Sequence, residues 1–298
     1  MKYYILPILL ILFIVITACE DVIEVKLTDE NIDLYAVEAK ITTEDNPYVF
    51  FYHGIPVNEN NSYPGVSGAK VIISDDSQPS KSIQLVENPE FAGQYIVAEN
   101  DSFIGEIGKE YTLKIEYNDV TLTAKDNLFP VEPIDSIQVR PSLRGDKRFL
   151  AVFTYGNETP GIGDFYKWDL YINNTLLHEA EYLFFASDEL VDGNYVENLE
   201  VFTDFHDPKE KSERKLQYMD SVYVKQTSIS PFAYYFYYQL VNQSFSGSLF
   251  SVPTANIKGN FTSSDGKKVL GIFTAHDVST SNIVVIDESI ENQLDERP

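Results

Sequence analysis

Cysteine is nearly absent from this sequence. The 298 residues include one, Cys19, so a disulfide within the chain is excluded. Basic residues are also scarce, because 22 lysines and arginines stand against 46 aspartates and glutamates, which gives a net charge of −24. A surface this acidic repels phosphates and anionic headgroups. The composition therefore argues against nucleic acids, anionic membrane surfaces and polyanionic glycans as ligands.

The apolar run near the N-terminus is too short to cross a membrane. It covers residues 3–18, follows Lys2 and ends in ITAC, whereas a spanning helix needs roughly 20 residues. A basic residue followed by a short apolar run is typical of a signal peptide, and small residues directly before a cysteine resemble the bacterial lipobox. We therefore expect residues 1–18 to be a lipoprotein signal peptide and Cys19 to become the lipidated N-terminus. The alternative, a free buried cysteine in a cytosolic protein, leaves the apolar leader unexplained.

The residues that follow change from an acidic segment to a β pattern. Residues 19–34 are acidic with scattered aliphatic side chains, which is typical of a tether. Residues 35–130 contain seven short strand candidates separated by turn residues. In YTLKIEY the alternation predicts that Tyr111, Leu113 and Ile115 face a core. Seven strands in this length predict a β-sandwich that resembles the immunoglobulin-like and transthyretin-like modules of bacterial surface proteins.

A break near residue 130 separates this sandwich from the rest of the chain. Two prolines in FPVEPIDS end the last strand. Residues 131–298 alternate again and predict a second β-rich domain. The expected fold class is therefore mainly β, with two domains after the tether.

One helix is predicted inside the second domain, at about residues 230–243. Ser230 can cap its N-terminus, and Pro231 fits the first helical position. Aromatic residues cover nearly all of its surface, so burial rather than recognition is its expected role. One face carries Phe232, Tyr235, Phe236 and Leu240, and the other carries Tyr234, Tyr237, Tyr238 and Val241, so we expect the helix to pack against sheet on one side and loops on the other.

Motifs for catalysis or metal binding are not evident. No G-x-S-x-G or H-E-x-x-H occurs, and GEIGKE lacks the spacing of a phosphate-binding loop. The histidines are far apart in sequence, at His53, His178, His206 and His276. We therefore predict no catalytic residue, no metal ligand and no enzymatic activity.

Two further features have a structural and a functional interpretation. The segment SDELVDGN offers several oxygen ligands for calcium. It lacks the order of an EF-hand loop, so a solvated acidic loop is favoured. Trp168 lies in the alternating stretch DFYKWDLY, where a core position is favoured over stacking on a sugar ring.

Several segments together resemble one family. They are Cys19 followed by EDVIEV, then VSGAKVIISDD, GQYI, GKEYTLKI, PIDSI, YYFYYQLVNQ and IKGNF with LGIFTAHDV. The chain resembles the family catalogued as domain of unknown function 4249, the cell-envelope lipoproteins of Bacteroidota. The resemblance implies an outer-membrane lipoprotein, often encoded near TonB-dependent receptors, and it brings no catalytic residue.

Short sequence patterns suggest a cellular location and a covalent modification. Glu20 and Asp21 are similar to the signals that send lipoproteins of this phylum to the outer face of the outer membrane, although a periplasmic linker is the alternative. DSI and DSV resemble the acceptor pattern for O-glycosylation at Ser136 and Ser221. The expected location is the cell surface, and no cofactor is expected besides the lipid on Cys19.

The leading functional hypothesis is a non-enzymatic binding or assembly subunit that is anchored by its lipid and partnered with a TonB-dependent receptor for nutrient uptake. An accessory subunit of an outer-membrane assembly machine and a surface glycan or peptide hydrolase are the alternatives. In EYLFFASDEL the rings of Tyr182, Phe184 and Phe185 are candidates for the partner interface. A buried strand is the other interpretation of that segment.

Overall fold

The computed structural model describes residues 34–54, 63–205, 211–244 and 257–295. The described part of the protein is mainly β, with 49% strand and 10% helix, which confirms the predicted fold class. The described residues belong to one compact unit. The predicted signal peptide and all of the tether except Leu34 lie outside them.

The described residues contain eighteen strands and two α-helices. The first strands are β1 (Tyr35–Thr42), β2 (Tyr48–His53), β3 (Lys70–Asp75), β4 (Ser82–Glu87), β5 (Gln94–Ile96), β6 (Glu110–Tyr117) and β7 (Val120–Asn127). Those that follow are β8 (Ile134–Arg144), β9 (Lys147–Asn157), β10 (Phe165–Ile172), β11 (Thr175–Leu176), β12 (Phe184–Ser187), β13 (Tyr195–Thr203), β14 (Ser221–Ser228), β15 (Thr262–Ser263), β16 (Val269–His276), β17 (Val278–Thr280) and β18 (Val284–Val285). The helices are α1 (Pro231–Ser244) and α2 (Glu288–Asp295).

The first sheet has nine strands in the order β15-β7-β6-β3-β4-β5-β2-β1-β16. All seven strands predicted in residues 35–130 are present, and Tyr111, Leu113 and Ile115 are fully buried as the alternation predicts. Two further strands, β15 and β16, come from near the end of the chain, and β16 pairs with β1 in parallel. No strand from beyond residue 130 was expected in this sheet. The division into two domains near residue 130 stays a prediction.

A second sandwich follows the linker between β7 and β8. Its larger sheet has β10 and β14 at the centre, with β11 and β12 on one side and β17 and β18 on the other. Its smaller sheet has the order β13-β9-β8. The core between them includes Trp168, which is 6% exposed and donates from Nε1 to the side chain of Gln226 at 3.0 Å. The core position favoured for this tryptophan is therefore confirmed.

Helix α1 begins as predicted but is buried on only one side. Pro231 is its first residue, and Ser230 Oγ accepts a hydrogen bond from the Ala233 amide at 3.2 Å. Ala233 and Phe236 are buried, and they pack with Ile272 of β16. The expected burial on both sides is wrong for Phe232, Tyr235 and Tyr238, which are exposed, because the helix packs only along the side that carries Ala233 and Phe236.

Candidate functional site

A cleft of about 420 Å³ lies where the first sheet, the second sandwich and α1 meet. The outer faces of β1, β2 and β16 form one side of it, and the outer face of β10 and β14 forms the other. Phe236 and Tyr237 of α1 complete the wall. Its size is in the range typical of small-molecule sites.

Every second side chain of β10 faces the cleft, because side chains alternate between the two faces of a strand. Tyr166, Trp168 and Leu170 fill the core of the second sandwich. Lys167 and Asp169 therefore project to the opposite face, where both line the cleft. On the neighbouring strand β14, Lys225 lies on the same face.

The same alternation supplies the other side of the cleft. In β1, Val37 and Ala39 belong to the core of the first sheet, whereas Lys40 lines the cleft. In β16, Phe273 and Ala275 are in that core, and His276 lines the cleft.

Three lysines approach one another in this cleft of an acidic protein. The ammonium group of Lys167 contacts the carboxylate of Asp169 directly, and Lys225 Nζ lies 2.7 Å from a carboxylate oxygen of Glu44. Among the described residues, Lys40 Nζ has no hydrogen bond and no carboxylate within ion-pair distance. It lies 5.4 Å from the centre of the Tyr48 ring. In the part of the chain that the structure describes, Lys40 is therefore a cleft lysine without a directly paired carboxylate.

Burial and charge change the protonation of these groups. Burial lowers the pKa of the Lys40 ammonium, and the nearby Lys167 ammonium lowers it further. Burial acts to raise the pKa of Asp169, but Lys167 outweighs this effect and the pKa lies below its ordinary value. Burial thus disfavours the charged form of both groups, and for Asp169 the adjacent ammonium reverses the result.

His276 is the most buried titratable side chain on the floor of the cleft, at 3% exposure. Its Nδ1 lies 2.7 Å from the carbonyl oxygen of Ser228, so Nδ1–H donates to that oxygen. Burial lowers the pKa of the imidazole to about 3, and the Lys167 ammonium acts in the same direction. The ring is therefore neutral at pH 7. Among the described residues, Nε2 has no hydrogen-bond partner, which leaves it as an acceptor at the cleft floor.

Aromatic rings form part of the wall and the mouth. Tyr171 of β10 stacks on Tyr223 of β14 with ring centres 4.7 Å apart and planes 5° from parallel. Burial raises the pKa of Tyr171 to about 12. The cleft consequently combines ammonium donors, a neutral acceptor and apolar wall area, which together can bind an amphipathic molecule.

The predicted interface residues pack within the protein. Phe184 lies 5.3 Å from the Trp168 ring, at the core of the second sandwich. Phe185 points the opposite way and lies 5.3 Å from Tyr234 of α1. Tyr182 is half-buried and lines the cleft. These contacts account for the rings inside the fold, and a partner interface at them stays a prediction.

The other predicted positions are separate from the cleft. Cys19, Glu20 and Asp21 lie outside the described residues. Ser136 in β8 is half-buried, as is Ser221 in β14, whose hydroxyl hydrogen-bonds the side chain of Asn173 at 3.2 Å. Neither serine lines the cleft.

The loop considered for calcium is linked to a residue that the sequence analysis missed. Side-chain oxygens of Glu158, Asp188 and Asp192 lie within 4.8 Å of one another. The Asp188 carboxylate accepts from the Gly163 amide at 2.9 Å, and Asp192 accepts from Gly161 at 2.6 Å. These bonds hold the two loops together. The carboxylates therefore have a structural role that needs no ion.

Sequence reasoning missed the members of the cleft itself, Lys40, Lys167, Asp169 and His276. One signal was available in DFYKWDLY, because Lys167 and Asp169 stand two residues apart on the face opposite to Trp168. A charged pair on the second face of a strand whose first face is core indicates that this face is polar and partly open. No such local signal places His276 beside them.

Comparison with known proteins agrees with the resemblance of the motifs. No curated protein matches this chain. Within the described ranges, no helix has the length and apolar character needed to span a bilayer. The sequence model of a family described as domain of unknown function (DUF4249) matches residues 20–282. The chain therefore belongs to the DUF4249 family.

Proposed function

We propose that this protein is a lipid-anchored, non-enzymatic binding subunit on the outer face of the outer membrane, which works with a TonB-dependent receptor in nutrient uptake. The observation that carries the binding role is the cleft, where Lys40 and His276 each keep a polar group that has no partner among the described residues. Polar groups left without partners in a cleft of this size favour a ligand that supplies the missing hydrogen bonds.

The architecture supports binding because both cleft walls belong to sheets that are packed on a core. Each wall is the outer face of a sheet whose inner face is a packed core. Helix α1 contacts both walls: Phe236 of the helix packs with Ile272 of β16, and the helix also lies against Phe185 of β12. A site built on such elements keeps its polar groups in place before a ligand arrives, which reduces the entropy lost on binding.

The lipid anchor is proposed from the N-terminal sequence pattern, and the receptor partner is proposed from the family. The family match begins at residue 20, next to the cysteine that we expect to be lipidated. A lipid anchor followed by an acidic tether would hold the binding unit beside a membrane receptor at a high effective concentration. The lipid on Cys19 is the only attached group in this proposal.

The test is isolation of the tagged full-length protein from detergent-solubilised membranes of its source cells, followed by mass spectrometry. We expect a TonB-dependent barrel at near-equal amounts. A variant with Cys19→Ala is the matched control, because it keeps the whole folded unit but should not reach the membrane. Recovery of assembly factors instead of a receptor would overturn the proposed partner, and turnover of glycans or peptides by the purified protein would overturn the non-enzymatic role.

A further inference from the structure

Lysine side chains gather in the cleft although the protein is strongly acidic. Lys40 and Lys167 both approach the floor, where Asp169 is the nearby carboxylate and already contacts Lys167. The other carboxylates have partners of their own. Glu38 accepts from the Tyr48 hydroxyl at 3.4 Å, and Glu44 is paired with Lys225. Lys40 therefore has a charge that one carboxylate of a ligand would match.

The mouth of the cleft carries the opposite charge. Glu44, Asp45 and Glu179 line its outer part. Negative charge at the mouth repels ligands that carry several anionic groups. The combination favours a single carboxylate that reaches the floor.

His276 adds a second requirement. Its side chain is 3% exposed, Nδ1 is committed to Ser228, and Nε2 has no partner among the described residues. A neutral Nε2 can only accept a hydrogen bond. A ligand with an O–H or N–H donor beside its carboxylate would satisfy both His276 and Lys40.

The cleft wall indicates the character of the part of the ligand that lies beyond its polar groups. Phe236 and Leu240 of α1, together with Ile272 of β16 and Leu177, present apolar surface to the cleft. This surface suits a ligand with an apolar or aromatic body. The volume of about 420 Å³ is enough for one amino acid derivative or a molecule of similar size.

We propose that the cleft binds a small amphipathic monocarboxylate, with its carboxylate on Lys40, an adjacent N–H or O–H on Nε2 of His276, and an apolar body against α1. This assignment deepens the proposed binding function and rests on it. Free N-acylated amino acids and apolar 2-hydroxy acids share this chemistry.

The test is calorimetric titration of the full-length protein in detergent with four probes: N-acetylphenylalanine, its uncharged amide, phenyllactate and phenylpropionate. We expect N-acetylphenylalanine or phenyllactate to bind, and the amide to bind at least about tenfold more weakly because it lacks the charge. Phenylpropionate, which has a carboxylate but no donor, should fall between them. Whichever of N-acetylphenylalanine and phenyllactate binds more tightly shows whether the hydrogen-bond donor to His276 is an N–H or an O–H group.

Two variants locate the recognition. Lys40→Met removes the ammonium group but keeps most of the stem, and it should weaken binding of the acid about tenfold or more. Lys114→Met is the matched control, because Lys114 is a half-exposed strand lysine that does not line the cleft. His276→Asn can still donate to Ser228 but loses Nε2. This variant should bind N-acetylphenylalanine and phenyllactate more weakly, and its affinity for phenylpropionate should be unchanged.

Equal binding of acid and amide to the unmodified protein would overturn the proposal without reference to any variant. Unchanged affinity of Lys40→Met for the acid would do the same. Failure of all four probes would overturn the ligand class, while recovery of the receptor from membranes would still support the wider function.

Discussion

The backbone amide of Ala275 donates a 2.9 Å hydrogen bond to the buried carboxylate of Asp126, which lies 149 residues earlier in the chain. Asp126 is in β7 and Ala275 is in β16, near the two ends of the first sheet. Asn260 joins the same strands, because its side chain accepts from the Phe273 amide and donates to the carbonyl of Lys125. Side chains thus take the place of backbone ladder bonds where the sheet nearly closes.

Replacing Asn260 tests this closure. Asn260→Ala leaves the Phe273 amide and two carbonyls without this partner, so we expect the free energy of unfolding to fall by about 2 kcal/mol. Urea denaturation followed by circular dichroism measures it. Thr262→Ala, on the same segment, removes an exposed bond to Thr123 and should cost about 0.5 kcal/mol or less. Equal losses for both variants would show that Asn260 has no special role in closure.

Replacing the rings of β12 distinguishes packing from partner contact. Phe184→Ser and Phe185→Ser each remove a ring from the interior, so each should lower the free energy of unfolding by about 2 kcal/mol or more. Tyr235→Ser on α1 is the comparison, since Tyr235 is 61% exposed and should tolerate the change. If the β12 variants keep full stability but lose a co-purifying partner, the rings form the interface that the sequence suggested.

The pH dependence of folding should contain a contribution from His276. Its pKa of about 3 in the folded protein lies below the ordinary 6.5, so below pH 6.5 the unfolded chain binds a proton that the folded protein does not. Stability should therefore fall as pH decreases from 6.5 toward 3, by at most about 1.4 kcal/mol per pH unit. His276→Asn should lack this loss.

The measurement is the difference in unfolding free energy between the unmodified protein and His276→Asn at several pH values. Burial raises the pKa of Asp126 to about 6, which makes that group stabilising as pH falls through the same range. Since Asp126 is present in both proteins, it cancels in the difference. His178→Asn, at an exposed position, is the control. A difference that does not change between pH 7 and pH 4 would contradict this account of His276.

The lipid anchor is tested by labelling. Cells that express Cys19→Ala should incorporate no labelled palmitate into the protein and should release it from membranes, because the thiol is the attachment point. The remaining residues of the leader and tether are unchanged in this variant. Labelling equal to that of the unmodified protein would mean that Cys19 is not the lipidated residue.

Local sequence determined the mainly β class, the positions of the first seven strands and the start of α1. These features depend on neighbouring residues: the alternation around Tyr111 and Leu113, the turn residues between strands, and the cap at Ser230. The family could also be identified from the sequence, because its motifs follow one another along the chain.

Only the tertiary structure decided which elements meet. The parallel pairing of β16 with β1 joins Tyr35 to Val269, and no local pattern indicates a partner so distant. That pairing brings His276 beside Lys40, and the packing of the second sandwich brings Lys167 to them. The buried face of α1 was likewise decided by contact with both sheets, because a helix that is aromatic nearly all round has no single apolar stripe. The polar groups of the cleft are separated by more than two hundred residues, and only long-range pairing and packing bring them together.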